Sequence, residues 1–150
     1  MTTNNLTINN ARVIFKNFKG IEARFNPIGK RNFCVLLETG LAETLAVDGW
    51  NIKWLPARNE EDDPQAYLQV SVSFDNYAPK IYMLSGGQKT LLDKDTVGEL
   101  DTADVKSFDL IIRPYNWIIN EGSKNEQRGV KAYLKTMRVV LEEDEFEDGY

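Results

Sequence analysis

The clearest periodicity in the chain lies at residues 67–74, where Leu68, Val70, Val72 and Phe74 alternate with Tyr67, Gln69, Ser71 and Ser73. A period of two sends these sets to opposite faces of a strand, one buried and one wet. Residues 6–16, with Val13 and Phe15, and the compact apolar stretch 32–38 also predict strands, and Cys34 is expected to be buried within the second. Trp50, Ile52 and Trp54 alternate with Asn51 and Lys53, which predicts a strand with both tryptophans in the core. A short strand is expected at 80–84, and two longer ones at 108–119 and 129–141. Helical signal is thin. Leu41, Ala42, Leu45 and Ala46 form a short stripe, with Thr39 as candidate N-cap and Gly49 as stop, and Asp101 is a candidate cap for a turn running to Lys106. Neither is long enough to serve as the crossover of a parallel sheet. The pattern therefore predicts an all-β, mainly antiparallel domain with one or two short helices.

Two connections stand out. Residues 17–31 form a long link with Gly20, Pro27 and Gly29, and residues 120–128 (NEGSKNEQR) are expected to form a polar, mobile loop between the two long strands. No linker divides the 150 residues into two domains. With 42% hydrophobic and 27% charged residues, the chain has material for one soluble core. It contains no histidine, which excludes Ser-His-Asp and Cys-His nucleophiles and His-ligated metals. Cys34 stands alone, so neither an intrachain disulfide nor a zinc-binding cysteine cluster can form. The start of the chain has no signal-peptide pattern, and the longest apolar run, 33–37, is too short to span a bilayer. An intracellular, cytoplasmic protein is expected.

Charge is unevenly spread. Of 23 acids, six fall in residues 142–150, leaving 17 acids against 18 bases in residues 1–141. Between Arg12 and Leu37 there are six bases and a single acid, Glu22. The net charge of −5 thus hides a basic front behind an acidic end. Block acidic ends are usually disordered interaction tails. Residues 1–141 are read as the folded domain and 142–150 as the tail.

Three motifs do not carry chemistry. Leu84–Gln88 spells LSGGQ, the signature string of ABC-type ATPases, but no Walker A loop exists, so a Gly86–Gly87 turn is expected. Asp93, Asp95 and Val97 match the D-x-D-x-V string of haloacid-dehalogenase phosphatases, without the parallel strand and crossovers that chemistry needs. Glu60–Asp63 lack the spaced geometry of a cation site and suit a solvated loop.

One constellation survives. On the two late strands, alternation sets Leu110, Ile112, Val130, Ala132 and Leu134 against Arg113, Tyr115, Trp117, Lys131, Tyr133 and Lys135. If the strands pair as a hairpin, rings and cations share one surface. Rings stack on unpaired bases with little sequence preference, and cations neutralise phosphates. Lys16, Lys19, Arg24, Lys30 and Arg31 in the basic front, with Lys53 and Tyr67, complete the candidate nucleic-acid contacts. Small OB-type barrels bind in this way, on a sheet face flanked by two loops. No catalytic residue, metal ligand or cofactor is assigned.

Several segments carry a family resemblance: ARVIFKNFKG (11–20), FNPIGKRNF (25–33), DGWNIKWL (48–55), QAYLQVSV (65–72), LIIRPYNW (110–117) and GVKAYLKTM (129–137). The chain resembles bacteriophage single-stranded DNA-binding proteins of the replication type, and the resemblance spans most of its length. It implies an OB-fold-like five-stranded barrel with extra strands, and sequence-tolerant binding of single-stranded DNA in replication, recombination or repair. It further implies that the tail residues Glu142, Glu143, Asp144, Glu145, Phe146, Glu147, Asp148 and Tyr150 recruit replication or recombination proteins, and their opposite charge and short tether lead us to expect that they compete with DNA for the basic face. The tail does not end in the short hydrophobic-proline sequence of bacterial counterparts. Two other readings remain at this point. One is an acidic interaction protein that mimics DNA; the other is a cation-dependent nuclease or phosphatase using Asp93, Asp95, Asp101 and Asp104.

Overall fold

The computed structural model describes residues 4–75 and 77–142. Nine strands form one mixed sheet: β1 (Leu6–Ala11), β2 (Val13–Asn17), β3 (Arg31–Leu37), β4 (Ile52–Leu55), β5 (Gln65–Val72), β6 (Lys80–Ser85), β7 (Gln88–Leu92), β8 (Val105–Ile119) and β9 (Gln127–Leu141). One helix, α1 (Thr39–Val47), and a 3-10 turn, Val97–Asp101, complete the described elements. The sheet order is β1-β8-β9-β5-β3-β2, with β4 beside β5 and the β6–β7 hairpin beside β9. β1 and β2, the two ends of that path, are separated by Arg12 alone, so one bent N-terminal segment supplies both edges. This is the all-β architecture that the alternation predicts and is consistent with the OB-like fold that the resemblance implies, with an unclosed hydrogen-bond path.

The period-two pattern explains the core. Phe33, Val35 and Leu37 of β3 and Ala66, Leu68, Val70 and Val72 of β5 point inward, as do Phe108, Leu110 and Ile112 of β8. They meet Val130, Ala132 and Leu134 at one end of β9, and Met137 and Val139 at the other. The inward parity of β9 changes because a bulge intervenes: Ile112 pairs Leu134 and Ile111 pairs Thr136, leaving Lys135 unmatched. Phe18 and Phe33, both wholly buried, stack at 5.1 Å. Cys34 is buried as expected, and burial pushes its thiol pKa up.

Several local expectations are corrected. The strand expected over 6–16 divides at Arg12, with bulges at Asn10 (φ 53°) and Phe15 (φ 51°). α1 begins after Glu38 as N-cap, not Thr39. Trp50 is buried, but Trp54 is 43% exposed. Among the described residues β4 pairs only with β5, and Trp54 lies opposite the small Ala66 at that edge, with no strand beyond to cover it. β7 went unforeseen because only its last residue, Leu92, is buried, so no alternation marks it. The Gly86–Gly87 turn (φ 56° and 78°) joins it to β6, so LSGGQ is a two-residue hairpin connection. Among the described residues no helix is long and apolar enough to cross a membrane.

Candidate nucleic-acid interface

The β8–β9 hairpin builds the site by register. Arg113 lies opposite Tyr133, Tyr115 opposite Lys131, and Trp117 opposite Gly129, all on the face turned away from the core. The Tyr115 and Tyr133 rings meet edge to face at 6.1 Å. The Arg113 guanidinium lies between two rings, 5.3 Å from the centre of Tyr77 and 5.5 Å from that of Tyr133, while the Lys131 ammonium is 5.0 Å from Tyr133. These cation–ring contacts hold the charges in place without neutralising them. Tyr115 is 53% exposed and Trp117 36%. Five residues expected from the sequence therefore converge: Arg113, Tyr115, Trp117, Lys131 and Tyr133. Lys135, at the bulge, is exposed beside them.

The face continues onto β5, because Ser71 pairs with Tyr133 and alternation places Gln69 and Tyr67 on the same side. Tyr67 lies opposite the exposed Lys53 of β4, and its ring meets Phe15 edge-on at 6.3 Å. Tyr67 and Lys53 thus form a second cluster on the same wall.

Two expected phosphate contacts, Lys16 and Arg31, also hold backbone carbonyls. Lys16 donates to the backbone carbonyls of Leu100 (2.9 Å) and Ala103 (3.4 Å). Arg31 donates to those of Phe18 (2.8 Å) and Lys19 (3.2 Å) and stacks over Phe74. Their charge ties the 17–31 link to the body. Lys19, Arg24 and Lys30 remain exposed on that link.

The link itself is fixed by side chains. Asn17 Oδ1 accepts from the N–H groups of Gly20 and Ile21, and the Asp101 carboxylate accepts from those of Phe18 (2.7 Å) and Lys19 (3.0 Å). Asp101 therefore anchors this link and ends the 3-10 turn; it does not cap a turn toward Lys106. The opposite loop, 120–126, closes on itself: Ser123 donates to the Asn120 carbonyl, Gly122 N–H donates to Glu126, and Arg128 pairs with Glu126 at 3.0 Å. Those two contacts, the backbone N–H first, hold the Glu126 carboxyl below the usual range. The Arg128 charge is paired with Glu126, so that cation offers little to a phosphate.

Of the acids in the enzyme reading, Asp93 and Asp101 have structural roles. Asp93 Oδ1 accepts from the N–H groups of Asp95 and Thr96, which lowers its pKa and caps the approach to the 3-10 turn. Among the described residues no group of His, Cys, Asp or Glu is clustered to hold a metal. Of the acidic tail only Glu142 is described; it is exposed, with its N–H on the Asp104 carbonyl, and residues 143–150 lie outside the described residues.

Three contributors escaped the sequence reading. Phe15 faces outward because of its bulge, and Tyr77 comes from the β5–β6 loop; neither has a periodic signal. Gly129 had one: a glycine inside a strand often marks close approach. A Cβ there would lie 2.7 Å from Trp117 Cζ2, so only glycine lets the indole rest on the β9 backbone.

Comparison with known proteins fits this geometry. Three solved structures of the single-stranded DNA-binding protein from bacteriophage Enc34 share the fold. The C-terminal truncation aligns with a TM-score of 0.55 at 10% identity, covering 93% of this chain and 87% of that one. The form in complex with ssDNA gives 0.56 at 10% identity, covering 93% and 88%. A third structure of that protein gives 0.55 at 13% identity, covering 97% and 85%. Among curated protein sequences none matches. The family model described as "Putative phage ssDNA-binding domain" matches residues 1–150. Its function is binding, not catalysis. By that match over its full length, and with a fold to suit, the chain belongs to the phage ssDNA-binding domain family.

Proposed function

We propose that the protein coats single-stranded DNA with little sequence preference during phage replication, recombination or repair, in the cytoplasm of the bacterial host. The observation that carries this reading is the convergence of Tyr115, Tyr133 and Trp117 with Arg113 and Lys131 on one solvent-facing wall. Bases stack on the rings, each worth roughly 1–3 kcal/mol, and phosphates follow the cations. Lys53, Tyr67, Lys135, Lys19, Arg24 and Lys30 extend the track at its margins.

The tail competes for the same wall when DNA is absent and recruits basic or replication-associated partners once displaced. It leaves the body where Leu141 pairs with Val105.

Fluorescence polarisation with labelled oligo-dT at two salt concentrations tests both parts. Tyr115→Ala and Trp117→Ala weaken binding with little change in salt slope, while Lys131→Ala lowers the slope. Truncation after Leu141 tightens binding, most at low salt. Absence of binding by the intact and truncated chains at low salt would instead favour a DNA-mimicking interaction protein.

A further inference from the structure

Phe25 is the most exposed large apolar side chain of the described residues, at 90%. Single exposed apolar residues are ordinary. This one is held out by a built scaffold. Ala23 and Asn26 exchange reciprocal backbone hydrogen bonds at 2.9 and 3.0 Å, leaving Arg24 and Phe25 as a two-residue tip. Asn26 Nδ2 donates to the carbonyls of Ile21 and Lys30 at 3.0 Å each, and Gly29 N–H donates to Gly20. Arg31 and Asp101 lock the base, as described above. The Arg24 guanidinium sits 5.2 Å from the Phe25 ring centre, and Lys30 is exposed nearby in the same loop.

The tip also adjoins the aromatic wall. Asn26 Oδ1 accepts from Asn32 Nδ2 at 2.8 Å. Asn32 pairs with Ser71, and Ser71 with Tyr133. Two strand spacings, about 10 Å, therefore separate Asn32 from Tyr133 across the outer face. A ring with a bound cation beside it, fixed at the border of a wall of rings and cations, matches the wall in chemistry.

We infer that Phe25 is a further base-stacking contact, at the loop end of the DNA track, with Arg24 and Lys30 on the flanking phosphates. The inference rests on the single-stranded DNA reading and extends its footprint from the sheet to the loop. The ligand is an unpaired nucleotide several positions along the strand from the one on Tyr115.

The test uses the full chain and oligo-dT of graded length, from about six to about sixteen nucleotides, the range of OB-fold sites. Phe25→Ala leaves thermal stability and short-oligonucleotide binding unchanged, and weakens binding of the longer ones by roughly five- to a hundredfold, as loss of one base–ring stack does. Phe25→Trp restores the affinity, and its salt slope matches that of the native chain. Equal affinity of Phe25→Ala and native protein at every length, with Tyr115→Ala weakened, overturns this inference and leaves the DNA reading intact. Unchanged binding by both variants overturns both. A loss independent of length, or a change in self-association alone, also overturns the placement.

Discussion

Replacing Gly129 by alanine isolates the placement of one ring. The added Cβ would lie 2.7 Å from Trp117 Cζ2, 2.9 Å from Cε2 and 3.1 Å from Nε1. Carbon atoms prefer roughly 3.5–4.0 Å, so the indole must move by about 0.8 Å or more. The backbone accepts alanine: Gly129 is not among the residues at positive φ, and it lies within β9. Alanine also returns up to roughly 1 kcal/mol of chain entropy, against about 1–3 kcal/mol for a crowded contact. Because Trp117 lies at the surface, it can swing out and the net stability change should stay within about 1 kcal/mol. A displaced platform loses part of a base stack worth roughly 1–3 kcal/mol, so affinity for oligo-dT should fall about three- to tenfold with the salt slope unchanged. Polarisation titration gives the affinity and thermal denaturation the stability. Native affinity in Gly129→Ala, alongside a clear loss in Trp117→Ala, would refute the claim that Gly129 positions the ring.

Other outcomes follow from individual contacts. The Asp109 carboxyl is held below its usual pKa by the Asn10 N–H and then by Arg138, whose Nη2 is 2.6 Å away. Its stabilising contribution is present above the unfolded pKa of about 3.9 and lost as pH falls through the lower folded value. Asp109→Asn should therefore lower Tm at pH 7, and its gap from the native chain should close below about pH 4; a gap constant across that range contradicts the assignment. Asp101→Ala strips the acceptor from two N–H groups, that of Phe18 partly buried. It should cost about 1–3 kcal/mol in urea unfolding and speed tryptic cleavage at Lys19 or Arg24. Arg113→Ala should weaken DNA binding and lower the salt slope by about one, since its charge is held by rings and unpaired with a carboxylate in the contacts described.

The parts legible in the sequence are those governed by period two. β5 and the β8–β9 pair as far as the bulge at Lys135 could be read residue by residue, and alternation alone brought Arg113, Tyr115, Trp117, Lys131 and Tyr133 to one face. What stayed hidden depends on local exceptions or distant partners. The bulge at Phe15 turns a ring outward that strict alternation does not single out. Lys16 and Asp101 are consumed by backbone groups more than eighty positions away, which no local pattern encodes. Trp54 has the spacing of a core residue but sits on an edge strand, so exposure there follows from topology, not period. β7 carries too little buried surface to leave a pattern.

The most direct test of the DNA-binding wall is photocrosslinking of the full chain to iodouracil-substituted oligo-dT, with the modified residues mapped by mass spectrometry. The account predicts adducts at Tyr115, Trp117 and Tyr133 on the outer face of β8 and β9. Adducts confined to α1 and the 3-10 turn, with those three rings unmodified, would contradict it.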